Sequence, residues 1–317
     1  MPTNRAMVAT LNQYVRNKIE PGTLEQRVLT TMLMRYGQVE FNKGGVNFSW
    51  PVRTRRVGNF REHDVFQDVI ATPEKSEVLV AESFGRYIQT EFIDDEEMLV
   101  NRGDMEKIYD MYREKIDAMA EDGKDELHME LHIGDKTGRR IAGLNTILPA
   151  AALGIVHGQA QTGNPWWTHV RLDAAGGPSS NQVTDLIERV RTGLISADRG
   201  DAAGRPNFGI TTPTIYGRFV EKHLANERYV AKAAAIGPDL EAIVVQGCPI
   251  FYDKHAEANV TRLLNGKKLA LRFRTSGIFI TDIQRPSNKR GDQIVKECFP
   301  QLINKNPRYH TVIYNYS

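Results

Sequence analysis

The chain has 317 residues, 41% of them hydrophobic and 25% charged, which is a globular composition with room for one large domain or two ordinary ones. A net charge of +2 argues against a dedicated nucleic-acid-binding domain, which usually gathers lysine and arginine into a stripe, and permits weak, non-specific contact with phosphate. Cys248 and Cys298 are the two cysteines and form neither a metal-ligand pair nor a disulfide framework, no apolar run reaches membrane-spanning length, and residues 1–30 lack the apolar stretch of a secretory signal.

In chain order, Leu11, Val15 and Ile19, then Leu24, Val28 and Met32, are apolar at helical spacing, with Pro21-Gly22 between the two sets. Residues 1–40 therefore read as an arm that lies either on its own domain or on a neighbouring subunit. Val46, Phe48, Trp50 and Val52 alternate with Asn47, Ser49, Pro51 and Arg53, the period of a strand. Pro51 cannot donate to a ladder, so that strand is predicted at an edge or in a two-stranded ribbon. After a polar stretch, Ser76–Ser83 supplies a second strand and closes a long hairpin. An isolated hairpin is marginal in water and must lean on its own domain or on another subunit.

Residues 94–103 form an acidic turn, and Asp104 stands at an N-cap position. Ile108, Met111, Tyr112, Ile116, Met119, Leu127 and Leu131 then mark a helix of about 28 residues, roughly 40 Å long, with one narrow apolar seam. From about residue 144 the chain turns to alternating helical (183–196, 212–226) and strand-like (241–246, 269–273, 278–283) stretches. Residues 291–317 carry two strand-like runs around Asn306-Pro307. The expected class is α+β, without repeats.

This order of parts resembles the major capsid proteins of tailed bacteriophages, of the Hong Kong-97 fold. The resemblance is carried by Gly44-Gly45 with Phe48-Ser49-Trp50, and by Asn101 and Gly103 before the long helix. It continues in Asn164-Pro165-Trp166-Trp167, in Gln246-Gly247-Cys248-Pro249 with Asp253, and in Gln301-Leu302 and Asn306-Pro307-Arg308 with His310. It implies an N-terminal arm (1–40), an extended β-hairpin loop (41–92) and a peripheral domain with a spine helix (93–143). An axial domain (144–290) and a C-terminal return to the peripheral domain (291–317) complete it. The implied role is a subunit that assembles with itself, as hexamers and pentamers, into the icosahedral shell around double-stranded DNA. Scaffolding, portal and decoration proteins are the further partners, and the virion, assembled in the host cytoplasm, is the location. No catalytic residue, cofactor or metal is expected. The lysine and asparagine that some members join covalently are not identifiable. An encapsulin-type compartment shell shares the fold and is the nearest alternative.

Candidate contact residues follow from residue chemistry. Arg53, Arg55 and Arg56, with Arg61 after them, are the densest basic group; they suit an acidic neighbour such as Asp94, Asp95, Glu96 and Glu97, packaged DNA, or plain solvent. Phe48, Trp50, Trp166 and Trp167 are aromatic candidates for intersubunit contact; adjacent tryptophans on a strand would face opposite ways. His128 and His132 share a helix face and open a reading from another class, a metal hydrolase using Glu130 between them. Their spacing is not His-Glu-x-x-His, and the sequence supplies no third ligand nearby.

Overall fold

A computed structural model describes residues 27–41, 45, 47–54, 76–100, 105–151, 153–174, 182–200, 204–224, 242–287 and 290–316. The expectations placed on residues 1–26, on Gly44, Arg55, Arg56 and Arg61, and on Asn101, Gly103 and Asp104 lie outside the described residues.

Helix α1 (Val28–Arg35) buries Val28, Leu29, Met32 and Leu33, one stripe at helical spacing, in the main hydrophobic core. This part of the arm therefore lies on its own chain. Strand β1 (Val39–Phe41) follows. Among the described residues, strands β2 (Asn47–Arg53) and β3 (Glu77–Ser83) pair only with each other, antiparallel, from Asn47 opposite Ser83 to Arg53 opposite Glu77. That is the two-stranded ribbon that Pro51 predicts. One face of its inner end, Trp50, Val52 and Val80, enters the main core, while Leu79 on the other face stays 67% exposed.

Strand β4 (Tyr87–Asp94) leads into the short helix α2 (Asp95–Val100) and the long helix α3 (Met105–Ile133). The N-terminal half of α3 packs Tyr112, Ile116, Met119 and Ala120 against Ile93 and Ile294. Its C-terminal half sends Leu127 and Leu131 into the main core. The helix ends where Gly134 and Gly143 meet backbone to backbone: a Cβ on Gly143 would stand 2.6 Å from the Gly134 nitrogen, so no larger residue fits.

Next come α4 (Leu144–Ile147), β5 (Ile155–Val156), β6 (Gln159–Ala160), a 3-10 turn at Pro165–Trp167 and β7 (Val170–Asp173). Helix α5 (Gln182–Ser196), β8 (Phe208–Thr211), α6 (Pro213–Leu224), β9 (Ile243–Val245), β10 (Cys248–Tyr252) and β11 (Thr261–Leu264) follow. The chain closes with β12 (Leu269–Phe273), β13 (Ile280–Gln284), β14 (Gly291–Cys298), β15 (Pro300–Asn304) and β16 (Thr311–Tyr314).

The largest sheet is six-stranded, in the order β7-β16-β11-β8-β10-β9. Strands β10, β11 and β16 carry apolar residues on both faces, as burial between two layers requires. Leu263, Ile250 and Ile313 meet Leu186, Val190 and Leu194 of α5 and Ile215 and Phe219 of α6. Leu264, Phe251 and Val312 point the other way, into the main core. A three-stranded sheet, β13-β14-β4, carries the first half of α3, and another, β1-β12-β15, sits beneath α1. The C-terminal segment thus holds three strands rather than the expected two. The strand missed by sequence is β14, where Lys296 occupies an inward position and masks the alternation of Ile294 and Cys298. Its ammonium lies 4.5 Å from the Phe279 ring centre, and burial lowers its pKa to about 8.

Candidate functional site

The ribbon is held at its root by a buried polar joint. Glu82, on the inward face of β3, accepts a hydrogen bond from His157 Nδ1 at 2.7 Å. His157 sits in the turn between β5 and β6 at φ +50, and its Nε2 accepts from the Asn304 backbone N–H at 3.1 Å. With Nε2 accepting, the ring proton is on Nδ1, aimed at the carboxylate. Lys136 also pairs with Glu82. Burial works to raise the Glu82 carboxyl, and the bonds from His157 and Lys136 outweigh it, so its pKa is lowered. Trp50 packs edge-on against the same imidazole at 5.2 Å.

Beside this joint, folding completes what the sequence showed only in part. Phe48, Trp50 and Arg53 line a groove of about 330 Å³ together with Lys267, Lys268, Arg272 and Lys305. The cations come from β12, the turn before it and the end of β15, which lie over 200 residues further along the chain, so local sequence carries no sign of the cluster. Arg272 stacks on Phe48 with its guanidinium 3.4 Å from the ring centre and pairs with Glu40 at 2.6 Å. Lys305 donates to Gln38 at 2.6 Å. The groove lining carries five cations, Arg53, Lys267, Lys268, Arg272 and Lys305, a concentration of positive charge that favours an anion. The Trp50 Nε1 is buried without a hydrogen-bond partner.

The acidic candidates lie at the junction of β4 and α2. Asp95 is bonded by Arg285 at 2.8 Å and Glu97 by Lys115 at 2.9 Å, both within the chain. Asp94 and Glu96 are exposed. Trp166 and Trp167 lie in a 3-10 turn, not a strand, so they do not face opposite ways. Trp167 is fully buried and donates to the Val156 carbonyl at 3.0 Å. Trp166 packs half-buried on the same core and donates to Asn164 Oδ1 at 3.1 Å.

The histidine pair acquires a partner that sequence spacing could not supply. Asp253, at the end of β10, places Oδ2 2.8 Å from His128 Nε2 and 3.4 Å from His132 Nε2. All three side chains are buried. Glu130 is turned elsewhere: it accepts from Arg140 at 2.7 Å and from the Tyr87 hydroxyl at 2.9 Å. The His128–Glu130–His132 arrangement required for a hydrolase is therefore not formed. Burial lowers the His132 pKa. It also works to raise that of Asp253, but the imidazoles of His128 and His132 beside the carboxylate prevail and lower it.

No protein-family profile and no curated protein matches the chain. Solved structures match over nearly its whole length. The capsid asymmetric unit of Cyanophage A-1(L) matches with a TM-score of 0.61 at 16% identity, covering 91% of this chain and 93% of that one. The capsid of Cyanophage P-SCSP1u gives 0.57 at 13%, over 87% and 85%. The SrpI encapsulin complex of Synechococcus elongatus gives 0.55 at 12%, over 94% and 88%. The chain has the α+β fold of Hong Kong-97-type capsid subunits.

Proposed function

We propose that this chain is the major capsid protein of a tailed bacteriophage, a structural protein that assembles with itself, as hexamers and pentamers, into an icosahedral shell around double-stranded DNA. The observation that carries this reading is the chain-wide agreement in fold with a cyanophage capsid subunit, at 91% and 93% coverage. Two surface features support it. A ribbon whose strands, among the described residues, pair only with each other offers two open edges and an exposed face to a neighbour. The groove at its root, with Arg53 at the rim, suits the exposed Asp94 and Glu96 of an adjacent copy, and repetition of modest contacts by symmetry closes a shell. The virion capsid is the corresponding location. Scaffolding, portal and decoration proteins are further partners, and contact with packaged DNA is weak and non-specific, in keeping with a net charge of +2.

The encapsulin match favours a second reading, a shell around protein cargo. Expression of the full chain followed by negative-stain imaging tests both. Closed particles that protect double-stranded DNA in infected cells support the capsid reading. Closed particles that hold a specific protein and no DNA favour the compartment. A strictly monomeric chain at high concentration overturns both.

A further inference from the structure

We propose that His128, His132 and Asp253 form a binding site for one divalent transition-metal ion of the zinc class, clamping the end of the long helix to the six-stranded sheet. The two histidines are four residues apart on α3, so both rings project from one helical face. Asp253 comes from the chain directly after β10, where its backbone N–H still bonds Thr211 of β8. The site therefore joins a peripheral helix to the central sheet across more than 120 residues of sequence, a separation of 125 between His128 and Asp253.

Three observations converge. The donor atoms are two imidazole nitrogens and one carboxylate oxygen, all within 4.8 Å of one another, a set that suits zinc and its neighbours. The two separations from the carboxylate oxygen, 2.8 Å to His128 and 3.4 Å to His132, bracket the roughly 3.3 Å between ligands that bonds of about 2.0–2.1 Å to a tetrahedral ion would produce. Finally, His132 is 1% exposed, and its Nε2, aimed into the cluster, has no hydrogen-bond partner. A buried polar atom without a partner is costly. Asp253 Oδ2 makes its short contact with His128 and lies 3.4 Å from His132 Nε2 without a hydrogen bond, whereas an ion between the three would engage all of them.

The surroundings fit a resident ion. The backbone N–H of His255 donates to Asp253 Oδ1 at 2.9 Å, which orients the carboxylate as an outer-shell bond does at metal sites. The His255 ring lies 5.5 Å from that of His128 and, with water, is the candidate for a fourth position. The nearby Arg262 is paired with Glu257, which offsets its charge. With all three donors buried, the site is closed and structural in type.

The test is metal analysis of the purified full chain after incubation with zinc chloride and gel filtration. The wild type should retain about one ion per chain, and Asp253→Asn and His132→Gln should each retain less than about a tenth of that. Circular dichroism establishes that each variant is folded. If neither variant folds, cobalt(II) added to the wild type replaces them: a visible absorption band that zinc abolishes supports the site. Folded wild type without stoichiometric zinc overturns the proposal, as does unchanged metal content in folded variants or the absence of a cobalt band. Particle formation is read separately, so loss of this site leaves the shell reading intact.

Discussion

The ribbon of β2 and β3 and the six-stranded sheet solve the same problem in opposite ways. Strands β10, β11 and β16 of the sheet send apolar side chains to both faces, toward α5 and α6 on one side and the main core on the other. The ribbon has one covered face at its root, held by Trp50, Val52, Val80 and the Glu82–His157 joint, and a second face open to solvent. A structure built like the sheet is complete within one chain. One built like the ribbon is anchored by its own chain on one face and leaves the other open. On the proposed shell reading, the difference separates what folds the subunit from what it presents to others.

The largest expected effect lies in the sheet. Phe219 is fully buried between α6 and the strands, and Phe219→Ala should cost about 3–5 kcal/mol of stability by urea denaturation. A loss below about 1 kcal/mol would remove the claim that this unit is close-packed.

A smaller effect is expected at the ribbon's root. Glu82→Gln breaks a buried charged joint and should cost about 1–3 kcal/mol. The folded-state pKa of Glu82 lies below its ordinary value. Its contribution is therefore fully present above the unfolded value of about 4.3 and is lost as pH falls through the lower folded value. Wild-type stability should drop over that acidic window, and the Gln variant should drop less. Parallel pH profiles for the two proteins would show that the joint does not hold the ribbon.

Legibility in the sequence tracks the same divide. Period-2 alternation and Pro51 announced the ribbon, and apolar spacing announced α3, because each signal is local. Strand β12 was legible residue for residue, from Leu269 to Phe273. Strand β14 was not, since Lys296 sits where an apolar residue belongs and is accommodated by the Phe279 ring. The clusters were the least legible. Asp253 beside His128, and Lys267, Lys268, Arg272 and Lys305 beside Arg53, are brought together by sheet order, which residue spacing does not encode. Trp166 and Trp167 misled for a local reason: Pro165 starts a 3-10 turn, and in a turn adjacent side chains need not diverge.

The smallest effect on the subunit should be the largest on assembly. Arg53 is exposed at the rim of the basic groove, so Arg53→Glu should change subunit stability by no more than about 0.5 kcal/mol. If the groove receives the acidic start of α2 from an adjacent copy, the same change puts like charges together and particle yield should fall several-fold. A second substitution in the same chain, Glu96→Arg, should recover part of that yield, because each copy supplies both groove and acid and the swap restores opposite charges across the contact. Such a contact is exposed, so added salt should weaken wild-type assembly and relieve the defect of the single variant, since screening acts on attraction and repulsion alike. Yields that are equal in all three proteins at low salt would disconnect the groove from assembly and leave the open face around Leu79, 67% exposed, as the part of the ribbon that meets a neighbour.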